Sequence, residues 1–264
     1  MMSFGRIYAM ILRYFYILRK SWPRILDLIY WPTMHMVLWG FISQYFAASS
    51  AHIPYVVGAL LGAALLWEML FRSQLSVSLS FMEELWSRNI GHLCVSPLRP
   101  AEWIVSMICI SIIRTLIGVT PVLFLAMWIY DFNIFSIGLP LAALIINVWV
   151  MGWWLGLFIT SILMRAGLGA EGFCYALTFL FAPLCAVYYP ISALPEAVQV
   201  VSRALPASHV FEGLRGILLN GEFHAEYLWR AAGLNAVYFV IATGCFFWSL
   251  DRSRKHGGLL QTGE

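Results

Sequence analysis

The chain has 264 residues, 61% of them apolar and only 11% charged, against roughly 25% charged in an ordinary soluble domain. With a mean hydropathy of +0.81, the apolar side chains are too many for one core of this size, which excludes a soluble globule, a disordered chain and a disulfide-rich miniprotein. The formal charge of +3 is small, no nucleic-acid partner is expected, and at about 20 residues per crossing the length allows roughly six spans and no second large domain.

Residues 1–24 mimic a signal peptide, but Arg6, Arg13, Arg19 and Lys20 interrupt every apolar run. They are read instead as an amphipathic interface helix with Arg6, Arg13 and Lys20 on one stripe, lying along an anionic membrane surface. Trp22-Pro23 ends or kinks it. Residues 25–250 then form an all-α, polytopic membrane domain with six transmembrane helices. The six apolar segments are Ile25–Ala47, Ile53–Ser73, Ile104–Tyr130, Leu139–Leu163, Gly172–Tyr189 and Leu228–Leu250. After the second, the weakly polar run SQLSVSLSFMEELW suggests a helix projecting beyond the bilayer.

Most of the 16 basic residues fall on one side of this layout, namely those of the N-terminal segment, Arg88, Arg99, Arg165, Arg252, Arg254 and Lys255. The positive-inside rule therefore places both termini, and the tail 251–264, in the cytoplasm. The connection from Pro190 to Tyr227 lies outside and is no ordinary polar loop. It reads as two short re-entrant helices between spans five and six, Glu196 to Leu205 and Ser208 to Leu219, broken at Pro206 and closed by Asn220-Gly221.

Nucleotide hydrolysis within the chain is excluded. A phosphate-binding loop needs Gly-Lys before Ser or Thr, and the two lysines, Lys20 and Lys255, follow arginines. Six histidines without HExxH spacing and five cysteines without CxxC spacing point to no metal site, disulfide or catalytic group. Charges inside spans are costly and usually face a partner or a cavity. Glu68 and Arg72 stand at i and i+4, in the favourable order for an ion pair. Arg114 sits mid-span and is expected to face the bundle interior, reaching Glu68 or an anionic substrate head group. Gly58/Gly62 and Gly152/Gly156 are GxxxG pairs read as intrachain packing sites, and Trp149, Trp153, Trp154 and Tyr188 are candidates to line a pathway.

The connection Phe81 to Ile104 is the most informative stretch. Glu83, Glu84, Leu85, Trp86 and Arg88 stand on a predicted rigid extension of span two, Ser96-Pro97 stops it, and Pro100-Ala101-Glu102 starts the next helix. This segment resembles the coupling-helix region of ABC transporter permeases of the second exporter type. The external Leu194-Pro195, Leu205-Pro206 and Arg215-Gly216 resemble that family's motif of two Leu-Pro helix starts and a closing Arg-Gly. The likeness covers essentially the whole chain. It implies the permease subunit of an ATP-driven exporter, with residues 83–94 inserted into a separate ATPase subunit that holds ATP and Mg. It also implies a second permease copy, a homodimer, in a bacterial inner or plasma membrane. The cargo would be amphiphilic: a lipid-linked glycan, a lipid or a drug. Pro195, Pro206 and Arg215 would shape the external re-entrant segment. The readings from other classes are an integral membrane lipid-modifying enzyme and a non-transporting scaffold.

Overall fold

The computed structural model describes residues 2–49 and 54–256, and they form ten α-helices with no strand. The start of the second apolar segment at Ile53 and the tail from residue 257 lie outside the described residues. Among the described residues, four helices are long and apolar enough to cross a membrane.

Helix α1 (Phe4–Lys20) stops at an extended Ser21, and α2 (Trp22–Ser49) begins with Pro23 in its first turn, where a missing N–H costs nothing. Helix α3 (Pro54–Trp86) spans 33 residues, about 50 Å, and forms the axis of the molecule. A short α4 (Ile90–Val95) leads to α5 (Pro100–Ile129), which starts on Pro100, with Glu102 reaching back to the Arg99 N–H at 2.9 Å. A 3-10 turn (Ile134–Ile137) and Gly138, at φ +73°, turn the chain into α6 (Leu139–Ala166). After α7 (Phe173–Leu184) come the short helices α8 (Glu196–Arg203) and α9 (Pro206–Arg215), a π-helical turn (Gly216–Asn220), and α10 (Ala225–His256).

α3 packs against α2, α5 and α6, while α10 lies on α6 and α9. The α3–α6 crossing is close because both glycines of one GxxxG pair face it. A Cβ on Gly152 would sit 1.8 Å from Ser73 Oγ, and one on Gly156 2.7 Å from Val77 Cβ and 2.8 Å from the Gln74 carbonyl. The pair is thus a seam within the chain. The polar run of α3 is not a projecting arm: Gln74, Ser76, Ser78 and Ser80 are buried in the bundle. Ser73 and Ser80 donate to carbonyls of their own helix, and Thr178 of α7 donates to Gln74 at 2.7 Å. A small, self-satisfied side chain lets neighbouring helices approach.

The fifth apolar segment departs from expectation. α7 has 12 residues, about 18 Å, and ends at Pro183-Leu184 instead of running to Tyr189. Beyond it Ala186 takes φ +50°, reversing the chain. Arg215 holds that reversal, donating to the Ala186 and Val187 carbonyls at 3.0 and 3.2 Å. Two short helices do form in the connection between α7 and α10, and the second starts at Pro206 itself. α9 is buried along most of its length, with Val210, Phe211 and Leu214 fully inside.

Candidate functional site

Two sets of charges organise the α2–α3–α5 face. The first is an elbow where α3 ends. Glu84 is fully buried and accepts a bidentate pair from Arg13 of α1, at 2.8 and 2.9 Å, together with Asn89 Nδ2 at 2.6 Å. Glu83, also buried, takes Arg114 of α5 at 2.8 and 3.1 Å and Arg24 of α2 at 3.0 Å. Glu102 holds Arg6 at 2.6 and 2.8 Å and the Ser3 N–H at 2.7 Å. These forks are charge-assisted and geometrically specific. The hydrogen bond to Glu102 raises the Arg6 pKa, as that to Glu84 raises the Arg13 pKa. Tyr14 of α1 is buried beside them, bonded to Trp103 Nε1 at 2.9 Å, and burial pushes its phenol up.

This arrangement corrects four expectations. Arg6 and Arg13 face the protein, not a membrane surface, because buried carboxylates await them; α1 instead exposes Phe4, Tyr8 and Tyr16. Arg114 faces the interior as its cost demands, yet it meets Glu83 rather than Glu68. Those two acids stand 15 residues apart on α3, about 22 Å, and Arg114 lies level with Ser80 and Glu83. Glu83 and Glu84 are consumed by internal pairs, so of the five residues on the predicted extension only Trp86 and Arg88 are exposed, with Leu85 buried. Finally, the extension is not one rigid helix through residue 94. The Asn89 N–H bonds the Glu84 carbonyl at 2.9 Å and the Arg88 N–H that of Leu85 at 3.0 Å, with Arg88 at φ +52°. That is a Schellman stop whose left-handed position carries Arg in place of the usual Gly.

The second set lies further along α3. Glu68 is buried, with His35 Nδ1 of α2 at 2.8 Å and Arg72 Nε at 3.6 Å. The expected i,i+4 pair therefore exists but is loose, and the closer partner comes from α2. Trp39 donates to His35 Nε2 at 3.0 Å and stacks on Tyr188, ring centroids 3.8 Å apart. Two adjoining cavities of about 390 and 290 Å³ run down this seam between α2, α3 and α7, sharing Asp27, Arg72, Leu75 and Tyr175. In the connection between α7 and α10, Pro195 precedes α8, Pro206 is the buried first residue of α9, and Arg215 pairs with Glu212 at 3.1 Å. Glu212 in turn accepts the Ile191 N–H at 2.7 Å.

Sequence reasoning missed a third polar knot. Asn235 of α10 accepts from Trp154 Nε1 at 3.0 Å and donates to the Asn147 carbonyl of α6 at 2.9 Å. Its signal was two asparagines inside apolar spans, where an unpaired amide is expensive. Trp154 is tied into this knot and also lines a separate cavity of about 360 Å³, while Tyr188 stacks on Trp39 beside the seam.

Comparison with known proteins fits these parts together. The profile of the ABC-2 type transporter family matches residues 6–219, a stretch holding α1, the elbow, the cavity seam and the external helices. The chain is also similar to the uncharacterized protein YhgE of Bacillus subtilis (strain 168), 31% identical over 174 residues, which are 60% of this chain and 20% of that protein. It spans about a fifth of that relative's length. The chain belongs to the ABC-2 type transporter family and is an all-α, membrane-embedded protein.

Proposed function

We propose that this ABC-2 type transporter chain is the permease subunit of an ATP-driven exporter, working as a homodimer with a separate ATPase subunit that binds ATP and Mg. The carrying observation is that one family profile spans α1, the elbow and the external helices together. Both termini and the elbow face the cytoplasm of a bacterium, in its inner or plasma membrane. The exported molecule is amphiphilic: a lipid-linked glycan, a lipid or a drug.

The elbow is the ATPase contact, and its chemistry supports that role. Force passed from a soluble subunit to α3 needs an element that moves as a body, since packed elements switch between discrete arrangements rather than deform. Three arginines from α1, α2 and α5 lock Glu83 and Glu84, so α3, α5 and α1 share any displacement. Exposed Trp86, Arg88 and Val95 are left for the partner. Affinity capture of the tagged full chain from its native membranes is the test, and a P-loop ATPase is expected in stoichiometric amount. It should be lost with Trp86→Ala/Arg88→Glu while the permease stays monodisperse. Capture without any ATPase overturns the reading.

A further inference from the structure

The larger cavity between α2, α3 and α7 holds charged side chains. Asp27, Glu68, Arg72 and His35 line it. An indole N–H can only donate, so His35 Nε2 accepts from Trp39 at 3.0 Å, while its Nδ1 lies 2.8 Å from Glu68 without a hydrogen bond. Two carboxylates therefore share one guanidinium in the lining. Neither acid is saturated. Glu68 Oε2 is buried without a hydrogen bond, its nearest cation Arg72 Nε being 3.6 Å away, beyond bonding reach. Asp27 forms no hydrogen bond or close ion pair among the described residues and interacts with Arg72 only through space.

The walls are aromatic: Trp31, Trp67, Phe71 and Phe179, with the two phenylalanine rings 5.3 Å apart. Ring faces carry negative potential and attract cations, more strongly when water is excluded. An anionic head group would gain Arg72 but meet both carboxylates. A cation finds two incompletely paired acids and four aromatic rings. The volume of about 390 Å³ is within the range that holds a drug-sized molecule.

We propose that this cavity binds an amphiphilic organic cation, a protonated amine or quaternary onium with an apolar body, through Asp27, Glu68 and the aromatic walls. This rests on the permease reading and narrows its substrate class from amphiphiles in general to lipophilic cations. The apolar body enters between Trp31 and Phe179, both largely exposed at the rim, and the charge settles toward Glu68.

The test uses the full chain alone in phosphatidylcholine nanodiscs, with two isosteric probes of opposite charge, tetraphenylphosphonium and tetraphenylborate, measured by equilibrium binding above empty discs. Saturable phosphonium binding is expected at least tenfold tighter than that of borate, weakened five- to tenfold by Asp27→Asn and by Glu68→Gln. Asp27 is exposed, so Asp27→Asn decides alone if Glu68→Gln fails to fold. Equal binding of the two probes, tighter borate, or phosphonium binding indifferent to Asp27→Asn overturns the site. Because no ATPase is present, failure here leaves the permease reading untouched, whereas failure to capture an ATPase leaves this binding result intact.

Discussion

Glu83 holds two arginines from different helices, and the two are not equivalent. Arg114 is buried with the acid, while Arg24 has 40% of its side chain exposed. Breaking a buried pair from one side strands a charge and costs about 3–5 kcal/mol, whereas replacing both partners with apolar residues is often nearly neutral. Arg114→Leu should therefore lower the denaturant midpoint of the purified chain strongly, and Arg114→Leu/Glu83→Leu should recover more than half of the loss, since Arg24 can turn to water. A double variant no better than the single one would show that Arg114 acts through packing alone. The sequence made Arg114's inward orientation legible, because lipid forbids the alternative. Its partner was not legible: spacing along one helix says nothing of the register between two helices, and that register decides between Glu68 and Glu83. Glu84 looked like a surface charge for the same reason. Its partner Arg13 lies 71 residues away, and no local pattern marks it as buried.

At the scale of elements, the elbow and the α3–α6 seam make opposite demands on backbone and side chain. Arg88 occupies a left-handed C′ position, which costs a non-glycine residue roughly 1–2 kcal/mol. Arg88→Gly should keep or raise thermal stability and Arg88→Val should lower it. If Arg88→Gly is as stable as the parent yet loses the ATPase, the guanidinium itself is the contact. At the seam the space is already full. Gly156→Leu should destabilise by several degrees in a melting assay, because its Cβ would meet backbone of Gln74 and Val77 Cβ, neither of which can give way. Gly233→Ala on α10, with nothing within 4 Å of the added Cβ, should be neutral or gain up to about 1 kcal/mol of helix propensity. Equal effects from the two would mean that the seam is looser than drawn. The GxxxG spacing and the proline breaks were readable because they depend on short-range geometry. The stop at Trp86 was hidden because Arg, unlike Gly, carries no signal for a left-handed residue, and the length of α7 was hidden because an apolar run does not announce where a helix turns back.

For the whole molecule, α3 supplies a ruler. At one end Gly62 lies against Leu214 and Leu218 of the external segment, its Cβ position 3.2 Å from Leu218 Cδ1. At the other the elbow begins at Ser87. Twenty-five residues separate Gly62 from Ser87, about 37 Å of helix, which exceeds the roughly 30 Å hydrocarbon core. The two regions therefore emerge on opposite sides of any bilayer that α3 crosses near its normal. Arg6, Arg13, Arg24, Arg88 and Arg99 all gather at the elbow end. The internal pairing of Arg6, Arg13 and Arg24 with Glu102, Glu84 and Glu83 does not weaken the topology argument, because the positive-inside rule counts Lys and Arg during insertion and is not a net-charge rule. The prediction is an elbow in the cytoplasm and an external segment outside. In a background with the five native cysteines replaced by alanine, an impermeant maleimide should label Asn220→Cys in intact cells and reach Ser87→Cys only after lysis. Both positions are exposed in the chain itself, and labelling after lysis is done with the ATPase stripped from the membranes, so that its contact cannot shield Ser87→Cys. Labelling of Ser87→Cys in intact cells would invert the molecule in the membrane, and with it remove the ATPase contact from the only compartment that supplies ATP.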